Sequence, residues 1–205
     1  MDAFPAPPGL YLHVPFCSSL CPFCPYNKVI YDRDLAKTYM QALDKELGCY
    51  TDNLPSHFTS LYIGGGTPTL CLEQLGRLTE SIPVNGERAI EVLPTHASPD
   101  NLDRLAEMGI NYVSLGIQSF DERVLRHLRR PNTVRENRSA LDNVSGRFEC
   151  TDVDVPAPNG VAAGEPFSYD LRATATATTA QRVTKKGTPV VFTYSWAITV
   201  QDIAK

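Results

Sequence analysis

The sequence lacks three features that mark common classes of protein. It has no block of basic residues, and its 19 Lys and Arg against 23 Asp and Glu give a net charge of −4. Electrostatic capture of nucleic acid or of an anionic membrane is therefore not expected. The longest apolar runs, such as residues 190–192, are a few residues long, far short of the ~20 that cross a bilayer.

The amino terminus also lacks the positively charged start and apolar run of a secretory signal peptide. The expectation is a cytoplasmic protein. Its 205 residues, 42% hydrophobic and 20% charged, suffice for one sizeable core. This composition excludes a disordered tail and a disulfide-stapled mini-protein.

Apolar periodicity alternates along the chain between that of strands and that of helices. Short strands are predicted at 11–16, 61–63, 89–93, 112–117 and 149–155. Helix signals separate them, including Ser98-Pro99 and the capping box Thr133-x-x-Glu136. Such repeats predict an α/β fold, a partial (β/α)6 barrel of the TIM type with parallel strands and outer helices.

The predicted domain organisation is a core at 1–160, with strands one to five, followed by a divergent end at 161–205 that holds a helix and a sixth strand. The sixth strand is assigned to the extended run at 189–200. Lys186-Gly187 could instead turn a hairpin between Val183 and Phe192. No separate C-terminal domain is expected.

Six cysteines are many for a chain without secretory features, and three of them are clustered. Cys17-x3-Cys21-x2-Cys24 supplies three thiolates from one loop after the first predicted strand. A structural zinc site needs a fourth ligand, which His13 on that strand is poorly placed to give. A four-iron cluster on three cysteines keeps an open iron that can bind a small molecule. Zinc stays the alternative. The scattered cysteines are interpreted as buried small apolar residues: Cys49, Cys71 and Cys150.

Gly64-Gly65-Gly66-Thr67-Pro68 follows the second predicted strand, and its missing side chains let the backbone come close to a ligand. Polar residues lie toward the carboxyl ends of the next three strands, at the rim where barrel active sites form: Glu91, Gln118 and Asp154. Their structural alternative is an outward or paired side chain. Three histidines without a partner pattern are expected in surface or loop positions: His57, His96 and His127.

The cysteine spacing after Tyr11-Leu-His-Val-Pro-Phe, followed by Gly-Gly-Gly-Thr-Pro, resembles the radical S-adenosylmethionine (SAM) superfamily. Tyr112-Val-Ser-Leu-Gly-Ile-Gln-Ser-Phe120 with Leu125-x-x-Leu-x-Arg130 is similar to one branch of it. That branch contains oxygen-independent coproporphyrinogen III oxidase and the haem chaperones. The resemblance is strong over about 11–143.

The resemblance implies a [4Fe-4S] cluster on Cys17, Cys21 and Cys24 whose open iron chelates SAM. Reductive cleavage of SAM then gives methionine and a 5′-deoxyadenosyl radical, which abstracts hydrogen from a substrate. The implied activity is that of an oxidoreductase of porphyrin biosynthesis acting on a tetrapyrrole-like or other small organic molecule, such as a porphyrinogen or haem. The implied electron donor is a low-potential ferredoxin or flavodoxin.

The resemblance also implies which residues contact SAM. Arg130 suits the methionine carboxylate because its planar guanidinium can bind two oxygens. Next to Arg126 and Arg129, it could instead belong to a solvated basic helix face. Tyr11 could equally be a core aromatic. The implied set is Tyr11, Phe23, Gly65, Gly66, Thr67, Glu91, Gln118, Arg130 and Asp154.

Four departures from the oxidase pattern bear on porphyrinogen oxidation more than on SAM cleavage. Tyr26 stands where the oxidases carry a further cysteine, and Glu91-Val-Leu-Pro94 lacks their usual Asn. The fifth strand runs into Val155-Pro-Ala-Pro-Asn-Gly160, and no covering C-terminal domain is expected. A haem-binding chaperone and a truncated, inactive homologue are therefore the alternatives to an active enzyme.

Overall fold

The computed structural model describes residues 9–50, 57–148, 150–153, 181–183 and 189–191. Its strands, in chain order, are Gly9–Val14 (β1), Phe16–Cys17 (β2), Val29–Ile30 (β3), Phe58–Gly65 (β4), Val84–Val92 (β5), Tyr112–Leu115 (β6), Cys150–Val153 (β7), Gln181–Val183 (β8) and Pro189–Val191 (β9). Its helices are Arg33–Tyr50 (α1), Leu72–Glu80 (α2), Pro99–Glu107 (α3), Glu122–His127 (α4) and Val134–Val144 (α5).

Five strands form one parallel sheet in the order β1-β4-β5-β6-β7. Leu12 of β1 lies opposite Ile63 of β4, which lies opposite Ile90 of β5. Parallel neighbours need a crossover connection, and α1, α2, α3 and the α4–α5 pair supply one between each successive pair of sheet strands. The predicted α/β fold with parallel strands is confirmed.

The run assigned to the sixth strand is not a strand of this sheet in the part of the chain that the structure describes. Its start, β9, pairs antiparallel with β8 in a separate two-stranded sheet, with Val190 opposite Arg182. The hairpin alternative therefore matches this pairing, because antiparallel neighbours can be joined by a short connection. Residues 184–188, where the turn is predicted, lie outside the described residues. The remainder of 161–205 and the boundary at 160 lie outside the described residues.

The core is built from apolar side chains of the sheet and of the helices that cover it. Strands of a parallel sheet are buried and therefore read as nearly continuous apolar runs. Fully buried side chains from both layers pack together: Leu61, Ile63, Leu75, Ile90, Leu102, Leu105, Val113 and Leu115. Along the described ranges, no helix combines the length and apolarity needed to cross a bilayer.

Two helix starts have the caps that the sequence predicts. Thr133 accepts a hydrogen bond from the Glu136 N–H, and the Glu136 carboxylate accepts one from the Thr133 N–H at 2.7 Å. Ser98 caps α3 by accepting from the Asn101 N–H, with Pro99 at the first helical position. Ser98 therefore fixes where α3 begins after β5, and Thr133 fixes where α5 begins after α4.

Candidate functional site

The clustered cysteines begin at the end of β2 and continue into the loop before β3. Pairing of Cys17 with Ile30 closes that loop at its base. Cys17 and Cys21 are buried, Cys24 is half-buried, and all three are free thiols. Among the residues with a described structure, no three His, Cys, Asp or Glu side chains converge as a single metal ion would require. Thiolates of a four-iron cluster bind separate irons, so they do not converge on one point.

His13 anchors this cysteine loop to β1. Its Nε2 lies 3.0 Å from the Asn27 carbonyl oxygen, and its Nδ1 lies 3.0 Å from the Tyr11 hydroxyl. The Tyr39 hydroxyl of α1 donates to the His13 carbonyl at 2.8 Å. Both ring nitrogens are thus engaged in hydrogen bonds, and His13 is not a metal ligand. Sequence reasoning missed this anchoring role, although strand alternation places Tyr11 and His13 on one face.

The glycine run ends β4 and packs directly against the cysteine loop. Gly65 has φ +118°, a conformation that residues with a side chain rarely adopt. A Cβ on Gly66 would lie 2.5 Å from the Phe16 carbonyl oxygen and 2.9 Å from the Cys17 Sγ. The Thr67 N–H donates to the Phe16 carbonyl oxygen at 2.6 Å. The close approach of the two loops therefore depends on the missing side chain.

The Cys17 thiol lies in an environment with opposing electrostatic effects. Burial raises its pKa, helped by the neighbouring Cys24 and Cys21, and this outweighs the lowering by a hydrogen bond with the Thr67 side chain and by the charge of Lys28. Burial raises the pKa of the Cys71 thiol as well, to about 11. Cys71 is 1% exposed and packs in the core, as predicted for a small apolar residue. The side chains of Cys49 and Cys150 lie outside the described set.

Glu91, near the end of β5, is hydrogen-bonded to the glycine run. Its carboxylate accepts from the Gly65 N–H at 3.1 Å and from the Tyr62 hydroxyl at 3.0 Å. Tyr62 stacks on Tyr11 with ring centroids 6.0 Å apart. Tyr11 is 52% exposed, so it is not a core aromatic. The carboxylate and the two tyrosine rings therefore line the glycine run at the rim of the sheet.

Gln118 and Arg130 approach each other beside Gly116, just after β6. A Cβ on Gly116 would lie 3.3 Å from the Gln118 Nε2 and 3.4 Å from the Arg130 Nη2. Arg130 Nη2 donates to the Gly116 carbonyl oxygen at 2.7 Å, and Nη1 donates to the Cys21 Sγ at 3.6 Å. Arg126 and Arg129 are exposed, whereas Arg130 is half-buried beyond the end of α4. The alternative that Arg130 belongs to a solvated basic helix face is therefore wrong.

The structure brings most of the predicted site residues to one rim of the sheet. Cys17 meets Gly66 and Thr67, Glu91 holds Gly65, and Arg130 connects Cys21 with the turn that carries Gln118. Phe23 is half-buried within the cysteine loop. Asp154 lies outside the described residues, so its place in the site stays a prediction.

Among the histidines, His96 has more contacts than a loop residue was expected to have. It is half-buried in a short turn after β5, and its Nδ1 lies 2.7 Å from the Thr69 hydroxyl. Burial lowers its pKa. His127, at the end of α4, is exposed as expected.

Sequence reasoning also missed two asparagines that adjoin the site. Asn132 and Asn137 are 3% and 0% exposed and are hydrogen-bonded to each other. One signal was available, because Asn137 shares the buried face of α5 with Ala140 and Val144. A polar residue on the apolar face of a helix needs hydrogen-bond partners in the core.

A family model described as the radical SAM superfamily matches residues 11–158. The chain belongs to the radical SAM superfamily. Proteins of the radical SAM superfamily bind a [4Fe-4S] cluster and SAM.

Within the radical SAM superfamily, the chain is similar to proteins of two named kinds. It is 34% identical over 148 residues to the oxygen-independent coproporphyrinogen III oxidase of Pseudomonas aeruginosa, covering 66% of this chain and 32% of that protein. It is 33% identical over 135 residues to the heme chaperone HemW of Bacillus subtilis, covering 62% of this chain and 36% of that protein.

A solved structure of a radical SAM enzyme has a similar fold. Coproporphyrinogen III oxidase (HemN) from Escherichia coli superposes with a TM-score of 0.68 at 34% identity, covering 74% of this chain and 38% of HemN. The chain thus spans about a third of the length of these relatives.

Proposed function

We propose that this chain holds a [4Fe-4S] cluster on Cys17, Cys21 and Cys24 and cleaves SAM reductively to act on a small organic substrate. One observation carries the proposal. The guanidinium of Arg130 lies between the Cys21 Sγ, 3.6 Å away, and the Gly116 carbonyl oxygen, 2.7 Å away. A cysteine of the cluster motif and a cation suited to a carboxylate therefore belong to one hydrogen-bonded unit.

The donor set fits a four-iron cluster better than zinc. Three free thiols come from one loop, and no disulfide links them. A zinc ion needs four ligands at a common centre, and no such convergence occurs along the described ranges. Hydrogen bonds to a ligating sulfur stabilise its thiolate and fix its direction. Arg130 and the Thr67 hydroxyl are placed to give such bonds to Cys21 and Cys17.

Cys17, Cys21 and Cys24 would hold a [4Fe-4S] cluster, which when reduced would supply the electron for cleavage of SAM to methionine and a 5′-deoxyadenosyl radical. The protein has to bind and orient SAM. The Glu91 carboxylate, held by Gly65 and Tyr62, would accept from an ammonium or a ribose hydroxyl. Gly65 and Gly66, whose missing side chains let the end of β4 pack against His13 and the cysteine loop, would contact SAM through their backbone. Arg130 is suited to the carboxylate. Contacts from Tyr11, Phe23, Thr67, Gln118 and Asp154 belong to the same proposal.

The class of substrate is inferred from the named relatives. The relatives named above are a coproporphyrinogen oxidase and a heme chaperone, so we propose a tetrapyrrole-like molecule such as a porphyrinogen or haem. The chain spans only 32% and 36% of those two proteins. Oxidoreductase activity in porphyrin biosynthesis, and a ferredoxin or flavodoxin as electron donor, are proposals for the same reason.

Anaerobic reconstitution followed by metal and product analysis tests the function. We expect about four iron and four sulfide per chain, and 5′-deoxyadenosine after reduction in the presence of SAM. Zinc in place of iron would overturn the cluster assignment. A sample that keeps its cluster but consumes no SAM when reduced would overturn the catalytic assignment and leave the cluster assignment intact.

Haem binding without radical chemistry is the second candidate. It is favoured by a specific observation, since the identity to HemW, 33%, is nearly that to the oxidase, 34%. Haem titration of the reconstituted protein distinguishes the two. Uptake of one haem per chain without 5′-deoxyadenosine formation would support the chaperone-like function.

A further inference from the structure

Two primary amides are buried side by side next to the proposed SAM site. Asn132 is 3% exposed and Asn137 is 0% exposed, and the Asn132 Nδ2 donates to the Asn137 Oδ1 at 2.6 Å. Removing an amide from water is costly unless its hydrogen bonds are replaced inside the protein. The remaining hydrogen bonds of this pair therefore show what it holds in place.

The pair is hydrogen-bonded to the backbone on both sides of Gln118. The Asn137 Nδ2 donates to the Ser119 carbonyl oxygen at 2.8 Å and to that of Ile117 at 3.3 Å. The Asn132 Nδ2 also reaches the Ile117 carbonyl oxygen, at 3.5 Å. Two side chains from outside the turn thus fix the two carbonyl groups that flank Gln118.

The turn that they fix is strained. Gln118 has φ +62°, and the Ser119 N–H donates across it to the Ile117 carbonyl oxygen at 2.8 Å. A hydrogen bond from residue i+2 to residue i around a positive φ is the rare and strained form of the γ-turn. Such a conformation persists only where the surrounding structure enforces it, and it is common at functional sites.

The same pair orients the guanidinium of Arg130. The Asn132 Oδ1 accepts from the Arg130 Nε at 3.2 Å. With Nε fixed, the other two nitrogens lie against the Gly116 carbonyl oxygen and the Cys21 Sγ. One hydrogen-bonded network therefore joins the Gln118 turn, the half-buried Arg130 and a cysteine of the cluster motif.

We propose that Asn132 and Asn137 are positioning residues, which hold the strained Gln118 turn and the Arg130 guanidinium in the geometry that binds SAM. This inference rests on the proposed function. Neither asparagine needs to touch SAM, since each acts through the residue that it holds. Loss of the pair should weaken SAM binding while leaving the three cysteines able to hold iron.

Asn143 offers a matched control on the same helix. Its Nδ2 donates to the Ala97 carbonyl oxygen at 2.9 Å, and its side chain is half-buried. Asn143→Leu therefore removes the same kind of hydrogen bond from α5 without disturbing the Gln118 turn. A purely structural role of Asn137 would make Asn137→Leu resemble this control.

The experiment compares the full chain, Asn137→Leu and Asn143→Leu after anaerobic reconstitution. Iron per chain, the dissociation constant of SAM for the unreduced protein, and amide hydrogen exchange of 116–119 are measured for each. We expect equal iron in all three. In Asn137→Leu the dissociation constant of SAM should rise at least about tenfold, and amide exchange at 116–119 should accelerate. In the control, Asn143→Leu, both quantities should stay within about twofold of those of the unaltered chain.

Unchanged SAM affinity in Asn137→Leu would overturn the proposal. If Asn137→Leu does not fold, Asn132→Ala decides in its place, because it leaves Asn137 bonded to Ser119. Asn132→Ala should weaken SAM binding at least about fivefold, and unchanged affinity in it would overturn the proposal. Failure of the unaltered chain to bind SAM would instead overturn the proposed function, and exchange at 116–119 would still report whether the pair holds the turn.

Discussion

At the contact between the glycine run and the cysteine loop, one added methyl group would meet backbone and sulfur together. A Cβ on Gly66 would lie 2.5 Å from the Phe16 carbonyl oxygen and 2.9 Å from the Cys17 Sγ, neither of which can move alone. We therefore expect Gly66→Ala to displace the cysteine loop. Iron bound per chain after reconstitution should fall by more than about half, as measured by metal analysis.

Gly76→Ala is the control for that substitution. A Cβ on Gly76, inside α2, would make only ordinary contact with Met108 at 3.8 Å. Replacing a helix-interior glycine by alanine should stabilise the fold by about 0.5–1 kcal/mol and leave iron binding unchanged. Full iron in Gly66→Ala would contradict the role given to the loop contact.

His96 should make the stability of the fold depend on pH. Burial lowers its pKa below 6.5, so at lower pH the unfolded chain binds a proton that the folded chain excludes. Well above pH 6.5, His96 is neutral in both states and does not change the free energy of unfolding. As the pH falls below 6.5, protonation of His96 in the unfolded chain lowers the free energy of unfolding. Urea unfolding at about pH 7.5 and about pH 5.5 should show this loss, and His96→Gln should lose less. The same loss in both proteins would exclude His96 as its source.

Site residues could be predicted from the sequence when their signal lies within a few neighbouring positions. The cysteine cluster and the glycine run are contiguous motifs, and the structure places them together. The environment of Arg130 is not local, because its partner Cys21 lies 109 positions away. The amide pair escaped prediction for a similar reason, since Asn137 bonds to carbonyls 18 and 20 positions earlier.

At the level of secondary-structure elements, the capping box of α5 makes a separable contribution to stability. The Thr133 side chain accepts from the Glu136 N–H at 3.2 Å, and the Glu136 carboxylate accepts from the Thr133 N–H. We expect Thr133→Ala to lower the free energy of unfolding by about 1 kcal/mol. Urea denaturation of the two proteins measures the difference.

Thr38→Ala is the matched control for this cap. Thr38 is exposed in α1, and its hydroxyl donates to the Asp34 carbonyl oxygen of the preceding turn. Its removal should change stability by less than about 0.5 kcal/mol. Equal effects of the two substitutions would argue against the cap. Hydrogen bonds from Thr133 also lower the pKa of Glu136 below 4.5, so its contribution is lost as the pH falls through that lowered value.

The strands of the sheet were predictable because alternating strand and helix patterns admit few topologies. Five predicted strands correspond to β1, β4, β5, β6 and β7. The small β2–β3 sheet was missed because two-residue strands carry no periodicity. The run at 189–200 was ambiguous from sequence, since an extended run alone does not reveal whether its neighbour is parallel or antiparallel.

Across the whole molecule, cysteines of two kinds should behave differently. Alanine at Cys17, Cys21 or Cys24 should abolish cluster binding, because each removes one of three ligands. Alanine at Cys71 should not, since this thiol packs in the core and its pKa is raised to about 11. Iron and sulfide analysis of the four variants makes the comparison. Full iron in a variant of the cluster motif would remove that residue from the ligand set.

We propose that the cysteine loop and the rim of the parallel sheet form one site for SAM cleavage. The most direct test is quantification of 5′-deoxyadenosine from the reconstituted and reduced chain with SAM, beside Cys21→Ala and Cys71→Ala. We expect the product from the unaltered chain and from Cys71→Ala, and none from Cys21→Ala. Absence of 5′-deoxyadenosine from an unaltered chain that retains its cluster would contradict this proposal.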